Sequence, residues 1–389
     1  MKKKLIFVTE ALWIGGIETA LINLLNRIDY DQYEVTLLVC KAALELKNRV
    51  PSECKLIIID RDNAYSTHRK YPFSKLYHLT EQSEHPSALH KAFMWLTPVV
   101  KWIENELFIR YVRAEISGQK YDTAIIYSDR VAEITIRGIA ADKYLMFYHN
   151  ALMEKRYHDE IAYKKCDAII AVSQSKAEEL KAYRPQYADK IIAIHNLVDI
   201  DRIIAASKEK MAIPYPLDAF NIVTCGRLAH QKGIDWAILA CRQLLDAGYH
   251  SIQWWVVGGG PDESKLRKQI QSVGVEEHFH LLGMQNNPYP YIANADLYVQ
   301  PSRYENFSVV ILEAMVLQRA ILATIPAAKD QIIHGVSGYL CEAQADNLAE
   351  GIEYLYLHSE EREKYQAYLQ EHSLDEENNK IMEELYQLF

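Results

Sequence analysis

The chain has 389 residues, 49% hydrophobic and 24% charged. These are the proportions of a globular protein of two or three domains, and they exclude a disordered, collagen-like or disulfide-stapled chain. The net charge of -9 is uneven: residues 1–200 carry 28 Lys/Arg against 26 Asp/Glu, a balance of +2, while residues 201–389 carry 15 against 26, a balance of -11. The first half can therefore approach an anionic surface and the second should not.

In chain order, residues 4–9 form an apolar run too short for a secretory leader and read as a first strand. A glycine-containing loop, 10–16, leads to a helical pattern from Ile17. Further short strands are predicted at 33–40, 55–59, 124–127, 144–148, 168–172 and 191–194, with helical patterns nearby. Strand alternating with helix predicts a parallel sheet covered on both faces. Residues 60–118 break the rhythm: they are rich in His, Tyr and Trp, and 61–113 hold eight Lys/Arg against five Asp/Glu. This segment reads as an insertion. Within it, 89–113 is helical, with aromatic and aliphatic bulk flanked by Lys91, Lys101, Arg110 and Arg113, and with Pro98 limiting its regularity.

A linker at 195–219, with Pro214 and Pro216, precedes a second alternating series. Its strands are predicted at 220–225, 252–257, 278–282, 297–300 and 320–324, and its helices at 234–247, 262–272, 308–317, 345–358 and 374–389. No apolar run approaches the roughly 18 residues of a membrane-spanning helix. The six cysteines are scattered without a CxxC pair, as in a cytoplasmic protein with reduced, buried thiols. The fold expected is α/β: two Rossmann-like, doubly wound parallel-sheet domains facing each other across a cleft. The domains are 1–200 and 201–370, and a terminal helix, 371–389, packs back on the first. In such sheets ligands sit beyond the carboxyl ends of the strands.

Two segments carry chemistry. In Cys225-Gly226-Arg227-Leu-Ala-His-Gln-Lys232-Gly233, two cations stand between a strand and a helix N-terminus, an arrangement suited to a diphosphate. In Glu305-Asn306-Phe307-Ser308-Val309 and onward to Glu313, a loop carboxylate precedes a helix whose otherwise apolar row carries a second one. A partly buried Glu313 needs a partner or a ligand hydroxyl, and the amides of 307–310 offer another anion cradle.

Together with Val257-Gly258-Gly-Gly260-Pro, these segments resemble the retaining glycosyltransferases of GT-B fold, family 4. Trp13-Ile-Gly15-Gly16-Ile-Glu18, Tyr148-His149-Asn150, Ala171-Val-Ser173 and His195-Asn196-Leu-Val-Asp199 are similar to further family segments, so the resemblance spans nearly the whole chain. It implies that Arg227 and Lys232 hold the donor diphosphate, Glu313 the ribose, and Glu305 with the amides after it the transferred sugar. It implies that His149 hydrogen-bonds the sugar near the reacting carbon, and that Gly16 admits the phosphate or acceptor where a side chain would clash. Catalytic roles fall to His149, Arg227, Lys232 and Glu305. Gly15, Gly16, Asn196, Gly226, Gly258, Gly260, Met284, Asn306, Phe307, Ser308 and Val309 complete the donor site. No metal or other cofactor is expected. The partners are a nucleotide-sugar, expected to be a UDP-sugar, and a glycan or lipid-linked acceptor in cell-surface polysaccharide or glycolipid assembly. The setting is cytoplasmic, with 89–113 a candidate for peripheral membrane contact. Asn306 and Ser308 stand where the family often has glycine, which crowds the sugar pocket.

Rival readings are weaker. Asp60-Arg-Asp62 has the form of a manganese-binding pair, but Asp29-Tyr-Asp31 and Asp199-Ile-Asp201 repeat it without that context. His68, His78, His85 and His90 lack compact ligand spacing. A catalytically silent subunit that binds carbohydrate or stabilises a partner transferase is the remaining alternative.

Overall fold

The computed structural model describes residues 2–60, 88–116, 118–150 and 159–389. It comprises two compact units. The first is Met1–Val172, Ala177–Ile194 and Glu384–Phe389; the second is Ser173–Lys176 and His195–Glu383.

Unit one holds seven parallel strands: β1 (Lys3–Thr9), β2 (Tyr33–Val39), β3 (Lys55–Ile58), β4 (Lys120–Ile126), β5 (Ala140–Tyr148), β6 (Ala168–Ala171) and β7 (Ile191–Ala193), in the order β3-β2-β1-β4-β5-β6-β7. The central strands are near-continuous apolar runs because both faces are covered, the signature of a parallel sheet; Leu5 to Val8 are wholly buried. Helix α1 (Gly16–Arg27) follows β1 directly and starts at the carboxyl end of the sheet. Helix α2 (Ala88–Glu115) runs unbroken through Pro98. Of its apolar residues, Phe108, Ile109 and Val112 are core, so they are unavailable to a membrane, whereas Val99, Trp102 and Ile103 are exposed. Short helices α3 (Ala132–Gly138), α4 (Asp159–Lys165) and α5 (Gln174–Tyr183) complete the unit's framework.

Unit two begins with α6 (Ile200–Ser207), N-capped by the Asp199 side chain, and holds six parallel strands. These are β8 (Phe220–Cys225), β9 (Ile252–Val257), β10 (Phe279–Gly283), β11 (Leu297–Gln300), β12 (Ile321–Thr324) and β13 (Tyr339–Cys341), in the order β10-β9-β8-β11-β12-β13. Helices α7 (Ile234–Asp246), α8 (Glu263–Val273), α9 (Tyr289–Ala293), α10 (Val309–Val316), α11 (Ile325–Ala328), α12 (Ala345–Leu357) and α13 (Ser359–Glu371) accompany them. The edge strand β13 has three residues, too few to leave an alternating pattern in the sequence.

The main segment of unit two starts at His195, and Leu197 and Val198 within it are buried. The last helix, α14 (Asp375–Leu388), is divided. Asn378 hydrogen-bonds the Val198 backbone in both directions, while Tyr386 stacks on Tyr33 at 5.3 Å and Phe389 meets Phe7 edge-on.

Candidate active site

In unit two, the loops after β8, β9 and β11 meet at the carboxyl edge of the sheet. The first two touch backbone to backbone: Gly226 N–H donates to Val257 O and Leu228 N–H to Gly259 O, both at 2.9 Å. Only glycine fits at Gly258, where φ is +146° and an added Cβ would stand 1.9 Å from the Gly226 carbonyl oxygen. The Lys232 turn presses equally hard on the loop after β11. At Gly233, with φ +64°, a Cβ would lie 2.0 Å from Pro301 O. Arg303 staples the same two loops. It pairs with Asp235 through two bonds of 2.7 and 2.6 Å, donates to His230 O and lies 3.8 Å over the Trp236 ring. Burial pushes Asp235 up, but these hydrogen bonds outweigh it and hold the carboxyl below its usual range.

This stapling brings Lys232 Nζ to 2.6 Å from Glu305 Oε1. Glu305, 10% exposed, also accepts from Ser302 Oγ at 2.8 Å and, more weakly, from Gln300 and Gln231. A carboxylate so enclosed is tolerable because it is paired and multiply hydrogen-bonded. Arg227, on the loop that carries Lys232, is exposed. An exposed cation and a cation shared with a carboxylate thus stand on one loop.

Glu313 lies within α10, 6% exposed, and accepts from Tyr289 Oη at 2.9 Å. At the start of α10 the expected amide cradle is narrower than the sequence implied. Ser308 N–H is taken by Gln331 Oε1 at 2.8 Å, and Gln331 returns a bond to Ser308 O. Phe307 is buried and stacks on His195 at 4.5 Å, while His195 Nδ1 sits 2.9 Å from Glu377. That bond holds the Glu377 carboxyl below its usual range despite burial. Asn196 is buried with no partner for Oδ1 among the described residues. Asn306 and Gly260 border the same loops; a Cβ on Gly260 would strike Leu228. Met284 is largely exposed, beside Gly259.

Unit one carries Gly15, Gly16 and His149. Gly15 precedes α1, and a Cβ there would lie 2.6 Å from Glu18 Oε2. The clash expected at Gly16 has no counterpart in the protein itself, since nothing lies within 4 Å of an added Cβ. Burial raises the Glu18 carboxyl, with neighbouring Glu10 and Glu45 adding to the rise. His149 follows β5 and packs on Tyr127 and Phe147. Its buried Nε2 has no partner among the described residues, and burial pulls its pKa down to about 4, against the opposing pull of Asp129. Among the rival motifs, Asp62, His68, His78 and His85 fall outside the described residues.

Ser302, Gln231, Arg303, Asp235 and Tyr289 were not singled out from the sequence. Gln231 and Asp235 flank Lys232 and Gly233 closely; Tyr289 leaves no signal, because its partner is distant in the chain.

The chain belongs to the glycosyltransferases of GT-B fold: residues 14–202 match Glycosyltransferase Family 4 and residues 207–372 match Glycosyl transferases group 1. An uncharacterized glycosyltransferase of Methanocaldococcus jannaschii is 26% identical over 42% of this chain and 40% of that protein. An uncharacterized glycosyltransferase of Haemophilus influenzae is 23% identical over 91% of this chain and 90% of that protein. The first match thus spans less than half of its relative's length. Among solved structures, Anabaena HepE in complex with UDP-glucose has the same fold, with a TM-score of 0.70 at 17% identity over 99% of each chain.

Proposed function

We propose that the chain transfers a hexose or N-acetylhexosamine from a UDP-sugar to a hydroxyl of a glycan or lipid-linked acceptor, with retained anomeric configuration, in cell-surface polysaccharide or glycolipid assembly. The acceptor oxygen attacks the anomeric carbon from the face on which the diphosphate leaves. The anomeric C–O bond breaks, and the acceptor's proton passes to the departing phosphate oxygen. The observation that carries this reading is the Lys232–Glu305 pair beside exposed Arg227. It supports the reading because two cations on one loop can stabilise a leaving diphosphate while Glu305 can accept hydrogen bonds from a sugar's hydroxyls. In this reading the two cations replace a metal. Glu313 takes the ribose, and His149, kept neutral by its burial, hydrogen-bonds the sugar. The UDP choice rests on the HepE complex, which holds UDP-glucose.

The test is a transfer assay with UDP-glucose, UDP-N-acetylglucosamine and GDP-mannose in the presence of EDTA, with thermal shift as the binding readout. Turnover of a UDP-sugar in EDTA supports the proposal. Binding without hydrolysis or transfer points to the silent subunit, and rescue by manganese to a metal-dependent enzyme.

A second element concerns location. Among the described residues no helix is long and apolar enough to cross a membrane. Trp102 is 61% exposed on α2, and this supports a peripheral contact with the anionic cytoplasmic face of a membrane.

A further inference from the structure

Glu313 is attached to the start of unit two by a chain of polar contacts. Asp199 caps α6 by accepting from Arg202 N–H at 3.2 Å, and its other oxygen lies 3.4 Å from Arg202 Nε. Arg202 Nη2 donates to Tyr289 Oη at 2.8 Å, and its guanidinium stands 5.3 Å over the same ring. Tyr289 Oη in turn donates to Glu313 Oε1 at 2.9 Å. Tyr289 is 5% exposed and Glu313 6%. Helices α6, α9 and α10 pack on one another around these side chains, and Asn287 closes the frame by bonding both Ala206 O and the Tyr289 amide.

The direction of the bonds has a consequence. The phenol has one proton, and its acceptance from Arg202 commits that proton to Glu313. The bond is polarised at both ends, by a guanidinium and by a carboxylate, and such bonds are stronger than neutral ones. A carboxylate has about four lone-pair directions, so a fixed bond to Oε1 sets the plane of the group without exhausting it. Without that bond the carboxylate loses one of the contacts that set its orientation.

We infer that Tyr289, held by Arg202, is a positioning residue that orients the Glu313 carboxylate toward the ribose hydroxyls of the bound nucleotide. This rests on the ribose role given to Glu313 above. In this inference Tyr289 acts on the nucleotide through Glu313. A nucleotide without ribose hydroxyls should therefore be indifferent to its loss.

The experiment is calorimetric titration of wild type, Tyr289→Phe, Arg202→Gln and Glu313→Gln. Each is titrated with whichever of UDP, GDP and ADP wild type binds most tightly, and with the 2′,3′-dideoxy form of that nucleotide. Thermal unfolding confirms that each variant is folded. Wild type should prefer the ribose form, and Tyr289→Phe should weaken that form about tenfold, the worth of one charge-assisted hydrogen bond, while leaving the dideoxy form unchanged. Arg202→Gln should follow in the same direction. Equal weakening of both forms by Tyr289→Phe would mean a purely structural phenol and overturns the inference. So does an unchanged preference in Tyr289→Phe when Glu313→Gln abolishes it. A wild type that binds none of the three nucleotides, or that binds both forms equally, overturns the ribose reading beneath the inference.

Discussion

Lys232 and Glu305 meet at 2.6 Å, with side chains 18% and 10% exposed. The proposed diphosphate cation is thus paired with the proposed sugar carboxylate within the protein itself. A diphosphate would add a second anion to a cation that Glu305 holds in place, so the Lys232 side chain needs little ordering on binding.

This separates two cations that the sequence treats alike. Lys232→Ala should lower turnover by about 10²–10³, the usual cost of one electrostatic contact to a leaving group. It should also destabilise the fold by about 2 kcal/mol, because Glu305 is left buried without its cation. Arg227→Ala should lower turnover by a similar factor and leave the melting temperature unchanged, because Arg227 is exposed. Steady-state transfer and thermal unfolding on both variants check this. Equal melting temperatures for the two would show that the ion pair contributes nothing to the folded state.

Glycines offer a second contrast. Gly258→Ala places a Cβ 1.9 Å from Gly226 O. Overpacking at such a backbone contact costs about 3 kcal/mol, and the loops bearing Arg227 and Gly258 should separate, so nucleotide binding falls as well. Gly16→Ala meets no protein atom within 4 Å, and its melting temperature should match wild type. Loss of transfer by a Gly16→Ala variant of unchanged stability would show that the space serves a ligand. Chemical denaturation and transfer rates on the two variants decide it.

His149 sets a pH dependence. Its usual pKa lies near 6.5 and burial brings it to about 4 in the folded chain. Between these values the unfolded chain binds a proton that the folded chain does not. The stability linked to His149 is therefore complete above about pH 6.5, declines as pH falls across the window and is lost below about 4. Unfolding free energies from pH 7.5 to 4.5 should fall less steeply for His149→Gln than for wild type, by at most about 1.4 kcal/mol per pH unit. Parallel slopes would remove the buried imidazole as the cause.

Much of this was legible in the residues. Apolar runs such as Leu5 to Val8 and Ile222 to Cys225 are covered on both faces, so their composition alone announces a parallel strand. Gly258 and Gly233 stand where an added Cβ would strike the backbone of another loop, and no other residue fits. What the residues could not show is pairing across the sheet. Gln231 and Arg303 act through partners on another loop, and Tyr289 reaches Glu313 across 24 positions. The Ser308 amide was expected to face a ligand and instead meets Gln331, which sits beyond the following strand. Hydrogen bonds of this kind follow from register and loop geometry, and periodicity carries no trace of them.

Helix α2 carries two kinds of apolar surface. Its C-terminal half buries Phe108, Ile109 and Val112 in the core, while Val99, Trp102 and Ile103 are 53%, 61% and 44% exposed. The helix therefore splits its apolar residues between a packed section and an exposed one. Arg110 is exposed further along, where its guanidinium can meet anionic headgroups, while Arg113, also exposed, is bonded to Arg137 O. The charge balance of +2 over residues 1–200 permits that approach, and the -11 of residues 201–389 opposes it for the second half. Wild type should pellet with phosphatidylglycerol-containing liposomes at low salt and less at high salt, since the basic contribution is screened. Trp102→Glu removes the largest exposed apolar group from a surface position, so the fold should hold and partitioning should weaken roughly tenfold. A wild type that stays in the supernatant at low salt rules out the membrane contact. A Trp102→Glu variant that pellets like wild type assigns the attraction to charge alone.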